Sequence, residues 1–289
     1  MTIQWYPGHM AKAKRQFKEK LNLVDIVFEL RDARVPASSQ NPDIDEVVGN
    51  KPRLTILMKT DLADPEVTGE WISYYKKIGQ PVLAINANDN NEWKKIHKAA
   101  KITLEEDNEK REGKGMQERA IRAIVVGVPN VGKSTLINRI AGRKAAKAAN
   151  TPGVTQKQQW IKWDKRIELL DTPGMLWPKF EQQEIGYRLA LTGAIPDRLL
   201  HMDDIALYAM KELKKHYPGA LTTRYKLDDQ ENTLDLPDLL MAITKIRGFR
   251  DNYEQGAIML VNEIRKGILG PISFDRVGED LWEVENHEE

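Results

Sequence analysis

The regular patterning of the chain opens on an apolar run, "VDIVFEL" at 24 to 30. Four more runs of strand length follow: "RLTILM" (53 to 58), "PVLAIN" (81 to 86), "IRAIVVGV" (121 to 128) and "RIELLD" (166 to 171). The stretches between them are amphipathic and of helix length. Near-continuous apolar runs, unlike strict alternation, suit central strands of a mostly parallel sheet with helices on both faces. The predicted class is α/β, doubly wound. "QQWIKWDKRIELLD" predicts an antiparallel hairpin turning near Asp164 and Lys165, and the charged "LEEDNEKREGKGMQER" at 104 to 119 reads as a helix end or a joint.

From Trp177 onward the period changes. "EIGYRLALTGAI", "DDIALYAMKELKKHY", "LPDLLMAITKIRGF" and "GAIMLVNEIRKGILG" space their apolar residues by three and four, with Pro and Gly between them. The pattern divides the chain into an α/β domain at 1–177 and a small all-helical domain at 178–289 that ends in an acidic tail. A length of 289 residues, 41% hydrophobic and 30% charged, is enough for two cores.

Charge sharpens that division. Residues 1–177 carry 30 Lys+Arg against 22 Asp+Glu, and residues 178–289 carry 14 against 21. The chain has no Cys, which excludes disulfide frameworks and Cys-based zinc sites. No stretch of about 18 apolar residues suggests a membrane span. The basic N-terminus contains "WYPG" and has no apolar segment of the kind a secretory signal needs, so the expected location is cytoplasmic, without a membrane partner.

The chemistry centres on "VVGVPNVGKSTLINRI" at 125 to 140. Gly127, Gly132, Lys133 and Ser134 satisfy GxxxxGK[ST] after a buried strand and before a helix, the context a phosphate-binding loop requires. Its glycines turn backbone N–H groups toward phosphate oxygens, and Asn130, Val131 and Thr135 complete the cradle. Lys133 reaches the β- and γ-phosphates, and Ser134 ligates Mg²⁺. The bland alternative is a glycine-rich turn capping a helix. "LLDTPG" follows at 169 to 174, with Asp171 placed 37 residues after Ser134. There Asp171 can hold Mg²⁺ and the Gly174 N–H can meet the γ-phosphate. Between the two lies "AANTPGVTQ", where Thr155 is the candidate to close on Mg²⁺ and the γ-phosphate; Thr151 competes with it, and either can be an ordinary loop threonine.

Base recognition lies upstream of the phosphate loop. "LMKTDLAD" at 57 to 64 resembles the guanine-reading NKxD motif, offering Lys59 and Asp61. "INAND" at 85 to 89, with Asn86 and Ala87, resembles the small-residue loop that follows it. Motifs in this order resemble a circularly permuted P-loop GTPase. Met58 stands where NKxD has Asn and cannot replace its hydrogen bonds, although Asp61 can still accept from guanine N1–H and the 2-amino group.

"WYPGHMAKAKRQ" at the start and "DARVPASSQNP" at 32 to 42 are similar to the YlqF/RbgA family, the ribosome biogenesis GTPase A proteins, and the resemblance spans the whole chain. It implies binding of GTP and GDP with Mg²⁺, slow hydrolysis stimulated by the ribosome, and a role in late maturation of the large (50S) ribosomal subunit. The implied partners are that subunit's rRNA and ribosomal proteins; the chain is expected to act as a monomer. It also implies His9 as the residue that positions the attacking water, since Met175 and Leu176 follow DTPG where Ras-like enzymes place a Gln. From its sequence context alone, His9 can equally be a residue at a helix start. Asn130 is in addition a candidate ligand for K⁺ beside the phosphates.

Lys12, Lys14, Arg15, Lys18 and Lys20 of the first helix, with Arg143, Lys144 and Lys147, fit a phosphate-backbone footprint on RNA. Such runs are also common as solvated helix faces. A nucleotide-gated scaffold with negligible hydrolysis is the rival function, suggested by Met58 and Met175. An ATPase is suggested only by the altered base motif.

Overall fold

The computed structural model describes residues 15, 17–86, 89, 92–105, 109, 119–140, 160–163, 166–172 and 182–279. Six strands, β1 (Ile26–Asp32), β2 (Arg53–Met58), β3 (Val82–Ile85), β4 (Ile121–Gly127), β5 (Trp160–Trp163) and β6 (Ile167–Asp171), form one sheet in the order β3-β2-β1-β4-β6-β5. All pairings are parallel except β5 with β6, where Trp163 faces Ile167 across the expected hairpin. The turn residues 164 and 165, and most of the charged joint, lie outside the described residues. β4, the strand that precedes the expected phosphate loop, lies at the centre of the sheet between β1 and β6.

The parallel strands are apolar on both faces because both faces are covered. Val27, Ile124, Val126 and Leu170 pack on one side against Phe17 and Leu21 and against Ile44 and Val48 of α1 (Pro42–Val48). Phe28, Leu30, Val125 and Leu169 pack on the other, in a core shared with α2 (Pro65–Lys77), α3 (Trp93–Thr103) and α4 (Lys133–Ile140). Two of these helices are capped and started by proline. Asn41 and Asp64 accept hydrogen bonds from the first-turn N–H groups of α1 and α2, and a proline follows each at the first helical position.

In its middle, β1 also buries the charges of Glu29 and Arg31. Glu29 and Arg31 point to the same face, two residues apart, and Arg31 donates to both Glu29 oxygens at 2.9 and 3.0 Å, to Gln40 Oε1 and to Tyr75 Oη. Each buried charge therefore has a partner, the condition for burying it at all.

The C-terminal part is helical: α5 (Gln183–Leu191), α6 (Met202–His216), α7 (Ala220–Tyr225), α8 (Asp229–Thr233), α9 (Leu236–Ile246) and α10 (Tyr253–Arg265). The four long helices match the apolar period, whereas α7 and α8 are too short to show one. α5 serves two cores. Its Ile185 and Leu189 join the sheet, while Ala190 and Leu191 join α6, α9 and α10. Val35, which follows β1, reaches into the helical core in return.

The α9–α10 crossing is close because Gly256 of α10 lies against Thr244. A Cβ added at Gly256 would fall 2.8 Å from Thr244 Cβ and 3.0 Å from its Cγ2. Helix propensity alone favours Ala over Gly by about 1 kcal/mol, but overpacking costs about 1–3 kcal/mol. Gly256→Ala is therefore expected to lower the urea midpoint of unfolding. An increase would show that the crossing relaxes freely.

Candidate nucleotide-binding site

The loops after β1, β2, β3 and β4 emerge at one edge of the sheet, because parallel strands deliver their carboxyl ends together. At β4 the chain turns on Gly127, with φ +151. A Cβ there would lie 2.5 Å from the Leu30 carbonyl oxygen and 3.1 Å from Val131 Cγ1. Only glycine lets β4 end this close to β1. Val131 is buried and anchors the loop, while Gly132, at φ +114, turns the chain into α4. Ser134 and Thr135 stand in the first turn of α4, where unpaired N–H groups and the helix dipole favour an anion. Lys133 Nζ donates to the carbonyls of Gly127 at 3.0 Å and Val128 at 2.8 Å, which holds the ammonium across the loop.

The base-reading candidates lie two strands away. Of the four non-glycine residues with positive φ among the described residues, two are Lys59 (φ 61) and Asn130 (φ 58), one in each nucleotide loop. Backbone strain of this kind concentrates at binding sites. Asp61 is exposed at the loop tip, and Asn86 follows Ile85, which pairs with Met58, so Asn86 stands beside Lys59 at the same edge. Ala87 lies outside the described residues, as do His9, Thr155 and Gly174. Asp171 closes β6 opposite Val125, two residues before Gly127. Thr172 Oγ1 donates to the Val125 carbonyl at 2.6 Å and fixes the strand's exit beside the phosphate loop.

Met58 is fully buried, and its Cε lies 3.2 Å from the position a Cβ on Gly132 would take. The thioether thus supports the phosphate loop by contact, where an Asn would hydrogen-bond.

Two residues quoted in the sequence only as part of a family resemblance, Asp32 and Arg34, have a part in this site that was not foreseen. Asp32, buried at the end of β1, accepts from Arg34 Nε at 2.9 Å, Arg34 Nη2 at 2.8 Å and the Arg34 N–H at 3.1 Å, and pairs with Lys59 Nζ at 3.0 Å. Burial pushes the Asp32 carboxyl up, but Arg34 and Lys59 outweigh it and hold the group well below the usual carboxylate range. Burial lowers the Lys59 ammonium, with Asp32 opposing and Arg34 adding. The available signal was an acid and a base two residues apart directly after an apolar strand.

Asn130 has a second role as well. Its Nδ2 donates to the Gly193 carbonyl at 2.6 Å, at the end of α5, which leaves Oδ1 as the atom that would face a cation. Among the basic candidates, Arg15 and Lys18 are exposed, but Lys20 is buried at 4% and does not belong to an exposed cationic face. Its position turns toward the core as the helical period brings it under Phe17 and Leu21. Lys12, Lys14, Arg143, Lys144 and Lys147 lie outside the described residues.

The family described as 50S ribosome-binding GTPase matches residues 122–245. Ribosome biogenesis GTPase A of Bacillus cereus is 48% identical, with all of both chains aligned. That of Priestia megaterium is 51% identical over 95% of this chain and 97% of its own. The crystal structure of GNP-bound YlqF from T. maritima superposes with a TM-score of 0.65 at 26% identity, covering 92% of this chain and 98% of that one.

Two outcomes are expected from this geometry. Met58→Asn should tighten GDP binding about tenfold through one or two regained hydrogen bonds. The same change should lower the stability of the nucleotide-free protein by about 1–3 kcal/mol, since a buried apolar contact is lost. Calorimetric titration and urea melts read the two effects separately. For Asp32, a folded-state pKa below the unfolded value of about 3.9 means that its stabilisation is complete above that pH and is lost as pH falls below it. Asp32→Asn should therefore cost more stability at pH 7 than at pH 3; an equal loss at both would contradict the ion-pair account.

Proposed function

The chain belongs to the ribosome biogenesis GTPase A (YlqF/RbgA) family, and we propose that it is a GTP-hydrolysing switch that docks on the large ribosomal subunit and its rRNA to promote late 50S assembly. The observation that carries the nucleotide part is the convergence at one sheet edge of the Gly127–Ser134 phosphate loop with the Lys59–Asp61 loop. The docking part rests on the family and on the basic character of the first 177 residues.

Ser134 and Asp171 supply hard oxygen donors of the type Mg²⁺ takes, so the residues fit the ion the family implies. When bound, Mg²⁺ would neutralise charge on the β- and γ-phosphates. Lys133 does the same from the loop, and the N–H groups at the start of α4 orient the phosphates. Asn130 Oδ1 is the proposed K⁺ ligand. Thr155 and Gly174 are proposed to close on the γ-phosphate, and His9 to position the attacking water. Intrinsic hydrolysis is then slow, on the order of 10⁻⁴ to 10⁻³ s⁻¹, as for an unassisted Ras-like site. The 50S subunit is the activating partner.

The link to the helical part is short. β6 ends at Asp171 and α5 begins at Gln183, while Asn130 of the phosphate loop is already bonded to Gly193 after α5. Contacts to the γ-phosphate are thereby proposed to bias the placement of the helical domain, residues 178–289. Met58 against Gly132 favours a second reading, a nucleotide-gated scaffold with negligible hydrolysis.

Co-sedimentation with separated 30S and 50S subunits tests the docking, with GDP or a non-hydrolysable GTP analogue present. Selective retention on 50S in the GTP-analogue state is expected, and equal binding to 30S would overturn the assignment. Single-turnover hydrolysis with and without 50S separates switch from scaffold. His9→Ala should leave nucleotide and subunit binding nearly unchanged and remove most of the stimulation, because its contribution falls in the transition state. Absence of stimulation in the unaltered protein would favour the scaffold.

A further inference from the structure

After α10 the chain turns through Gly267 and Gly270 into Ile272, Ser273, Phe274 and Asp275, four consecutive residues that are all buried although they belong to no helix or strand. Buried backbone outside regular structure must find partners elsewhere. Here those partners flank the nucleotide site. The Ile272 N–H donates to the Leu62 carbonyl at 3.0 Å, and the Asp64 N–H donates to Ser273 Oγ at 3.1 Å. The Phe274 N–H donates to the Arg34 carbonyl at 2.7 Å. Asp275 accepts from the Ser38 N–H and hydroxyl, both at 2.7 Å, and from Arg188 of α5 at 3.0 Å.

Leu62 directly follows Asp61, and Asp64 lies three residues after it. Arg34 and Ser38 belong to the loop whose Asp32 holds Lys59. The segment therefore touches both supports of the base-reading loop. Side chains confirm the closeness, since a Cβ at Gly267 would fall 2.9 Å from Leu62 Cδ2.

Tyr217, at the end of α6, is the hub. Its hydroxyl oxygen accepts from the Ser273 N–H at 2.9 Å and from Arg276 Nη2 at 3.1 Å. Its hydrogen has Asp64 Oδ2 at 3.1 Å and the Ser273 carbonyl at 3.2 Å as acceptors. Asp64 also caps α2 with its other oxygen. One hydroxyl of the helical part thus reaches the loop that ends three residues after Asp61.

We propose that the Ile272–Asp275 strap, with Tyr217 as its positioning residue, sets the base-reading geometry of the Lys59–Asp64 loop and so couples guanine affinity to the placement of the helical part. The proposal rests on the reading of Asp61 as the guanine contact. It differs from the γ-phosphate coupling in one consequence: the strap acts on the base, so GDP and GTP feel it equally. By linkage, a partner that shifts α6 changes the affinity for both nucleotides by one factor, and either nucleotide changes the affinity for that partner by the same factor.

The test compares GDP with inosine diphosphate, which lacks the 2-amino group Asp61 would bind. Tyr217→Phe keeps the ring beneath Arg276 and removes only the hydroxyl; Ser273→Ala removes the acceptor of the Asp64 N–H and serves if Tyr217→Phe does not fold. Each should weaken GDP and the non-hydrolysable GTP analogue alike, by about three- to tenfold. Each should also shrink the preference for GDP over inosine diphosphate. A merely structural lesion would lower stability without moving the base preference. An unchanged preference in both variants overturns the strap's role. Asp61→Asn is the control: if it leaves the GDP preference intact, the guanine reading itself falls, and the strap proposal with it.

Discussion

An ionised carboxylate is costly to bury unless donors and cations surround it, and the burial of Asp32 organises the nucleotide edge. Removed from water, it demands the paired donors of Arg34 and the ammonium of Lys59. Meeting that demand draws the loop after β2 toward the loop after β1. Lys59 is thereby held in a left-handed conformation, with Asp61 at the exposed tip. Arg34, locked by the same carboxylate, presents its carbonyl to the C-terminal strap. One buried charge thus fixes two loops and offers a mooring to a third segment more than 200 residues away.

The phosphate side is governed by space more than by charge. Gly127 permits β4 to end against the Leu30 carbonyl, and Gly132 permits the loop to lie on Met58. The loop can then turn its N–H groups inward without a supporting hydrogen bond from the NKxD asparagine position. In exchanging polar support for an apolar contact, Met58 strengthens the core beneath the loop and gives up a directional tie between base and phosphate recognition.

The helical part holds the nucleotide edge at separate points: Asn130 at Gly193 on the phosphate side, and Leu62, Asp64 and Arg34 along the strap on the base side. α5, packed into both cores, makes these two contacts parts of one body. A rigid element gripping both ends of a nucleotide site cannot move without changing the site.

The strands, the phosphate loop, the permuted order of motifs and the four long helices were legible in the amino-acid sequence. Each is written in local rules: apolar runs, glycines in the phosphate loop, and apolar residues spaced by three and four from Trp177 onward. The sequence misplaced Lys20, whose charge suggested a solvated face although its position on the helical period is a core position. It was silent on Tyr217, on the strap and on what Asp32 and Arg34 bind. Asp32 and Arg34 open the "DARVPASSQNP" stretch that carries the family resemblance, but nothing in that stretch states their partners, and "ISFD" after Gly-Pro carries no motif. Their roles arise from proximity between segments far apart in sequence, and only tertiary structure decides which buried polar group meets which partner, because the need to satisfy it is local but the means are not.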